Sequence, residues 1–342
     1  MNISIIGIDI GKTIFHLVAL DATGSIVRKK HFSRTQLVQF LSNVPRCLIG
    51  MEACCGSHHL GRLLKSLGHE VRLMPAQFVR PFVKSNKNDY LDAEAIAEAV
   101  QRPTMRFVEI KTEDQLDLQA LHRVRDRLVS RRTGVVNQLR AFLLERGIAC
   151  QKGRNFLRRL MPALLPDAEQ VLSPRMYRIV VQLWAEWQAL EDQVEELDRE
   201  IGTIAKQDAA CQRLLEVPGV GPLVATALVS AVGNGSGFTK GRELSAWLGL
   251  VPKQQSTGGK ARLLGISKRG NPYLRRLFIH GARSVIMHCR RNSRLGEWIT
   301  QLELRPKRNV AVVALANKLA RIAWAVLASG NEYRCRPSVA SG

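Results

Sequence analysis

Ile3-Ser-Ile-Ile-Gly-Ile-Asp-Ile-Gly-Lys12 is an apolar, β-branched run broken by a single acid, Asp9. Such a run, closed by glycine, reads as a buried strand. After Gly11-Lys12 the stretch Thr13-Ile-Phe-His-Leu-Val-Ala-Leu20 repeats the pattern, and past the turn Asp21-Ala-Thr-Gly24 a third run reaches about Phe32. These three runs predict an antiparallel meander. The same stretch has no basic lead-in and carries Asp9 inside its short apolar core, so it does not read as a signal peptide.

Working outward, a helix pattern covers Gln36 to Val44, a strand Cys47-Leu-Ile-Gly-Met-Glu52, a second helix Leu60 to Leu67 and a further strand Val71-Arg-Leu-Met74. The order β-β-β-α-β-α-β is that of a ribonuclease H-like α/β domain, expected over residues 1–110. From 111 to 208 the chain becomes all-α, with long helices over 113–146 and 177–206. Val180, Leu183, Trp187, Leu190, Val194, Leu197, Ile201 and Ile204 alternate steps of three and four, a coiled-coil seam. Leu121, Val124, Leu128, Val135, Leu139 and Phe142 give the first helix a rougher stripe. The two helices can pair within one chain or between chains, and Leu160 to Pro174, with three prolines, is the expected reversal.

Residues 209–342 form a third expected domain, helical and basic. Leu214-Leu-Glu-Val-Pro-Gly-Val-Gly-Pro222 precedes a helix from Leu223 to Val232. This pattern resembles a helix-hairpin-helix, whose turn amides hold a phosphate, although a plain helical turn reads the same. Residues 243–250 read as helix, 252–264 as a glycine-rich polar loop, and 271–290 and 309–329 as helices.

The charge points to a polyanion. The 342-residue chain carries a formal net charge of +22. In residues 209–342, 21 lysines and arginines stand against 5 acids; the ratio is 14 to 9 over 1–110 and 16 to 15 over 111–208. Neither a basic amphipathic helix, a lipidation signal nor an apolar span of membrane length is apparent, so nucleic acid is the expected partner and no membrane is. Seven cysteines without a CxxC pair read as reduced thiols of a cytoplasmic, nucleoid-associated protein. Cys54-Cys55 with His58-His59 is a weaker metal-site reading, because adjacent residues rarely converge on one ion.

Four carboxylates carry the chemistry. Asp9 sits among buried strand residues, where an ionised side chain costs several kcal/mol unless a cation or partner compensates. Glu52 ends another apolar strand, and Asp89 and Asp92 share one face at the start of a helix. Oxygen ligands from two strand ends and one helix suit a hard divalent cation. Taken singly, Asp89 also fits a helix N-cap and Glu52 a hydrated strand end; Glu94 lies on another helix face. Such a site serves a nuclease, resolvase or transposase alike.

The motifs Gly7-Ile-Asp9-Ile-Gly-Lys12, Gly50-Met-Glu52-Ala-Cys54 and Val83-Lys-Ser-Asn-Lys-Asn-Asp89-Tyr-Leu-Asp92-Ala-Glu-Ala-Ile96 come with a second set. That set is Pro218-Gly-Val-Gly221, Trp247-Leu-Gly-Leu-Val-Pro252, Ser256-Thr-Gly-Gly-Lys260, Leu264-Gly-Ile-Ser-Lys-Arg-Gly270 and Leu274-Arg-Arg276. Together they resemble the DEDD transposases of insertion sequences, relatives of the Piv DNA invertase that include bridge-RNA-guided recombinases. The resemblance implies a RuvC-like domain holding Mg²⁺ on Asp9, Glu52, Asp89 and Asp92. It further implies a serine nucleophile in a helical transposase domain, double-stranded donor and target DNA, a structured guide RNA, and a homo-oligomer, dimer or tetramer. Where the family's serine stands directly before the loop glycine this chain has Thr257, with Ser256 one residue earlier; either hydroxyl can attack a phosphodiester. Because hydroxyl and carboxylates fall in different domains, a composite site between protomers is compatible with the pattern.

Lys260, Arg262, Lys268, Arg269, Arg275 and Arg276 surround that loop and are expected to neutralise phosphates. Two other functions fit parts of the pattern: a Holliday-junction nuclease driven by metal-activated water, and a noncatalytic nucleic-acid-binding factor whose carboxylates are structural.

Overall fold

The computed structural model describes residues 3–84, 88–151, 153–288, 293–304 and 308–334. Ser85 to Lys87 of the third acidic motif, and Cys289 and Cys335, lie outside the described residues. The chain divides into two compact units, 1–116 and 117–342.

In the first unit, strands β1 (Ile5–Ile10), β2 (Ile14–Leu20) and β3 (Ile26–Ser33) form the expected meander. Helix α1 (Arg34–Ser42), strand β4 (Leu48–Glu52), helix α2 (Ser57–Ser66), strand β5 (Glu70–Met74), the short helix α3 (Ala76–Val79) and helix α4 (Asp89–Ala99) follow. The sheet order is β3-β2-β1-β4-β5, with β1 antiparallel to β2 and parallel to β4, so the chain crosses over at its centre. This mixed five-stranded sheet agrees with the α/β class read from the sequence.

Alternation along β1 and β4 sends Ile6, Ile8, Ile49 and Met51 to one face, where they pack with Leu37 and Leu41 of α1 and Leu60 and Leu64 of α2. The opposite face receives α4. A Cβ on Gly7 would overlap Ala93 and Ala97, and one on Gly50 would overlap Val100 and crowd Ile96. Small residues on both sides therefore let the helix lie directly on the strands.

In the second unit, described from residue 117 onward, the long helix α5 (Glu113–Leu144) packs along α8 (Pro174–Gln207). Leu128, Val135, Leu139 and Leu143 share a buried cluster with Val180, Trp184, Trp187, Leu190 and Val194. The coiled-coil seam thus closes within the chain. The reversal between the helices is itself helical: α6 (Arg154–Leu164) accommodates Pro162, and α7 (Ala168–Val171) follows. Glu191, buried in α8, takes both Arg132 at 3.1 Å and Arg158 at 3.0 Å.

Helices α9 (Ala209–Leu215) and α10 (Pro222–Val232) flank the Pro-Gly-Val-Gly turn. Then come α11 (Gly241–Trp247), the antiparallel hairpin β6 (Pro252–Thr257) and β7 (Lys260–Ile266), α12 (Pro272–His288), α13 (Arg294–Glu303) and α14 (Arg308–Ser329). The glycine-rich stretch expected as a loop is therefore an ordered two-stranded ribbon; its exposed, polar residues hid a strand that has no buried face. Gly219 has φ +77° and meets Gly281 of α12 so closely that neither position has room for a Cβ. That side of the turn is covered by protein.

By length and composition α14 could cross a membrane, contrary to the expectation that no segment could. Half of its apolar stretch is buried, and Leu315, Ala316, Leu319, Ala320 and Ala323 form the centre of this unit's core.

His122 of α5 fastens three helices. The Thr226 hydroxyl donates to Pro222 O at 2.6 Å, so it accepts from His122 Nε2 at 3.0 Å; Nδ1 then accepts from the Tyr273 hydroxyl at 3.0 Å. Burial first, and the Arg125 charge second, push the pKa of His122 from an ordinary 6.5 down to about 4. The unfolded chain binds the extra proton between these values, so the contribution of His122 to stability is complete above pH 6.5 and lost as pH falls toward 4.

Two outcomes follow from this packing. Gly7→Ala should destabilise the protein by about 1–3 kcal/mol, read as a lowered melting temperature, because backbone atoms of α4 occupy the space. His122→Gln should flatten the acid side of the stability profile, removing up to about 3 kcal/mol of the loss between neutral and mildly acidic pH. Urea unfolding at both pH values checks the second, and an unchanged slope would refute it.

Candidate active site

The acids sit where β1 and β4 end. Ile8 pairs with Met51 across the parallel strands, so the next residues, Asp9 and Glu52, emerge side by side. Each lies two positions beyond a glycine that faces α4, hence on the α4 face of the sheet. Antiparallel pairing extends the row: Asp9 opposes His16 of β2, and His16 opposes His31 of β3.

Above the row stands the first turn of α4. Asn88 is its N-cap, accepting from Tyr90 N–H at 3.0 Å, so Asp89 is the first helical residue and not the cap. Asp92 lies one turn further on and Asp89 is exposed. Burial first, then the charges of Asp9 and Asp92, raise the pKa of Glu52 above the ordinary carboxylate range. Glu52 is therefore close enough to both Asp9 and Asp92 to be repelled by each.

Asp89 faces His16, with Nδ1 to Oδ2 at 3.6 Å, while the Tyr90 ring meets the His16 ring edge-on at 4.9 Å and its hydroxyl lies 3.1 Å from His31 Nδ1. His16, His31 and Tyr90 were not singled out from the sequence. His16 carried a signal, since it is the polar residue within the second apolar run and a meander register places it opposite Asp9. Glu94 is committed elsewhere: Lys29 first and Lys84 second hold its carboxylate low, at 2.8 and 3.5 Å.

The donor chemistry of this face suits a hard divalent cation. Among the described residues, however, no three His, Cys, Asp or Glu side chains are set closely enough to hold an ion as they stand. The acids share a face without closing a ligand shell. The Cys54-Cys55/His58-His59 alternative does not assemble either: both cysteines are exposed, and His58 Nδ1 accepts from Lys111 N–H at 3.2 Å.

In the second unit the candidate hydroxyls crown the β6–β7 ribbon. Gly258 and Gly259, at φ +56° and +77°, form its two-residue turn, a conformation that favours glycine at both positions. Thr257 opposes Lys260 and Ser256 opposes Ala261. Alternation puts Thr257 on the ribbon face of Gln255, Lys260 and Arg262, and Ser256 on that of Gln254 and Leu263. Gln254 Nε2 donates to Ser256 Oγ at 2.9 Å.

The remaining cations divide by role. Lys260, Arg262, Lys268 and Arg269 are exposed. Arg275 is a fastener: one guanidinium nitrogen donates to Leu248 O and Arg269 O, both at 3.0 Å, pinning the Ser267–Gly270 loop beside Gly249. Arg276 pairs with Asp126 and lies over the Tyr273 ring.

A family model described as Transposase, of the DEDD IS110 type, matches residues 6–147, and one described as Transposase IS116/IS110/IS902 family matches 211–296. The chain is 46% identical over 333 residues to the transposase for insertion sequence element IS1328 of Yersinia enterocolitica, covering 97% of this chain and 99% of the relative. It is 44% identical to a probable family 20 transposase of Pseudomonas aeruginosa, over 98% of this chain and 99% of that one. A third relative, the transposase for IS1111A of Coxiella burnetii, is 41% identical over 98% of this chain and 92% of its own length. With identities this high over almost its whole length, the chain belongs to the IS110/IS116 family of insertion-sequence transposases.

Proposed function

We propose that this transposase cuts and rejoins DNA through a side-chain hydroxyl of the β6–β7 ribbon, acting with Mg²⁺ held by Asp9, Glu52, Asp89 and Asp92. The observation that carries the reading is the position of Glu52, half-buried on one sheet face with the charges of Asp9 and Asp92 near it: burial and then repulsion raise its pKa, a cost that a cation joining the acids would relieve. Bound there, the ion would neutralise phosphate charge and favour ionisation of the attacking hydroxyl. Asp9 and Glu52 are set by strand register, and Asp89 and Asp92 by the first turn of α4, so the donors approach from two directions.

The nucleophile on this reading is Ser256, a primary alcohol whose oxygen is already oriented by Gln254. Its oxygen bonds to phosphorus, the strand's ester oxygen leaves and takes a proton, and an incoming strand's hydroxyl later reverses the exchange and restores the serine. Thr257 is the second reading, favoured by its place on the ribbon face of Lys260 and Arg262. These cations, with Lys268 and Arg269, would contact phosphates, while Arg275 and Arg276 would support the loop and helix beneath. The partners on this reading are double-stranded donor and target DNA and a structured guide RNA, which the excess of 21 basic over 5 acidic residues in 209–342 supports. A dimer or tetramer would bring carboxylates and hydroxyl to one phosphate, in the cytoplasm at the nucleoid.

Incubation with DNA and Mg²⁺ followed by denaturation should yield DNA bound covalently to protein. Replacing Ser256 and Thr257 together with Ala should abolish the adduct, and the single variant that also abolishes it identifies the nucleophile. Cutting without any adduct would instead establish a water-driven nuclease. Asp9→Asn should retain DNA binding and lower recombination by about a hundredfold or more. Without divalent ions, Glu52→Gln should raise the melting temperature by relieving repulsion, and Mg²⁺ should then stabilise the wild type more than the variant. A variant that melts lower in both conditions would remove the electrostatic basis of the site.

A further inference from the structure

A concave groove of about 1030 Å³ opens in the second unit between α14, α13, the start of α11 and the base of the β6–β7 ribbon. Its wall is apolar and aromatic, with Trp298 and Trp324 from the helices and Leu264 and Ile266 from the ribbon. Among the described residues, four cations line it as well, Lys240, Arg242, Lys318 and Arg321, and no acid does. Lys318 Nζ lies 4.1 Å from the centre of the Trp298 ring, so charge and aromatic surface share one site. Trp324 is held in place by its indole N–H, which donates to Gly235 O at 3.1 Å.

We propose that this groove receives an unpaired base of the DNA strand that the ribbon acts on. An apolar, tryptophan-lined recess matches the face of a nucleobase, and the surrounding cations match the phosphates on either side of it. A paired duplex hides its base faces in the stack and presents only phosphates and groove edges, so a recess of this kind has little to hold on paired DNA. The ribbon connects the recess to the chemistry. Pro252 and Ile266 pair at its base, in the groove wall, and Thr257 and Lys260 pair at its tip, five residues away along β6. At a strand rise of about 3.4 Å per residue the groove is roughly 17 Å from the hydroxyls, which a single strand spans in a few nucleotides. A base lodged here would hold the strand in register while a phosphate a few positions away lies at Ser256 or Thr257. The proposal rests on the reading that these hydroxyls act on DNA, and goes beyond it in requiring local strand opening.

The test uses the full-length protein without divalent ions, so that binding is read apart from cutting. Short single-stranded DNA carrying 5-iodouracil is irradiated on the protein, and the crosslinked peptides are identified by mass spectrometry. Crosslinks to peptides containing Trp298 or Trp324 are expected. Crosslinks confined to other regions would overturn the proposal, and this arm needs no variant. In the second arm, Ala314→Trp fills the groove and Arg242→Ala removes an exposed cation from its edge. Each should weaken single-stranded DNA binding, the filled groove by about tenfold, the scale of one lost stacked base, and should leave duplex binding nearly unchanged. Unaltered single-strand affinity in both variants with native melting, an equal loss for duplex, or a loss confined to single-stranded RNA would each refute it. A crosslink in the groove from a protein that forms no covalent adduct with DNA would uphold the base site and count against the hydroxyl chemistry alone.

Discussion

The contact between α4 and the centre of the sheet is the constraint on which the candidate site depends. Gly7 and Gly50 remove side chains where Ala93, Ala97, Ile96 and Val100 come down, and the helix axis can then pass close over β1 and β4. With that separation set, the first turn of α4 stands over the strand ends and its two aspartates meet the row that begins with Glu52 and Asp9. The helix N-terminus also favours acids in its first turn, because unsatisfied N–H groups leave it partly positive. Larger residues at the two glycines would lift the helix, and the carboxylates would separate with it.

The same contact explains the electrostatic tension. Bringing acids together on a partly dry face raises the energy of their charged forms, which is visible as the upward shift at Glu52. Local structure answers with neighbours of other kinds: His16 beside Asp89, Tyr90 between His16 and His31, and two lysines on Glu94. The lysine pairs keep Glu94 out of the acidic set, and the one with Lys29 ties α4 to β3. Functional sites commonly retain unfavourable charge that the rest of the fold must offset.

The second unit solves a different problem, that of holding an exposed hairpin in a fixed place. The ribbon buries almost nothing of its own, so its position depends on what its ends are tied to. Ser267 N–H donates to Val251 O and Lys268 N–H to Gly249 O, and Arg275 bridges the carbonyls of Leu248 and Arg269. Beneath lies the core centred on α14, and the His122, Thr226 and Tyr273 network joins α5, α10 and α12. A polar tip on a packed base holds hydroxyls and cations exposed without loosening the support beneath.

Much of this was legible in the chain. Period-two runs from Ile3 to Phe32 marked the meander, the three-and-four spacing from Val180 to Ile204 marked a long helix with one apolar stripe, and an acid inside an apolar strand marked Asp9 as unusual. These are local signals, because alternation and helical period are properties of neighbouring residues. The ribbon escaped because both of its faces are wet, which erases the alternation; α14 was legible as a helix, but not its membrane-like length and apolarity, which come from small apolar residues at a helix–helix contact. Only the tertiary structure decided which partners the local patterns would meet. Whether Glu52 senses Asp9 and Asp92, whether the long helices pair within the chain, and whether Arg275 grips the backbone of Leu248 or faces solvent all depend on groups that are distant along the chain. Such contacts are selected by the joint packing of the whole unit, and no window of sequence contains them.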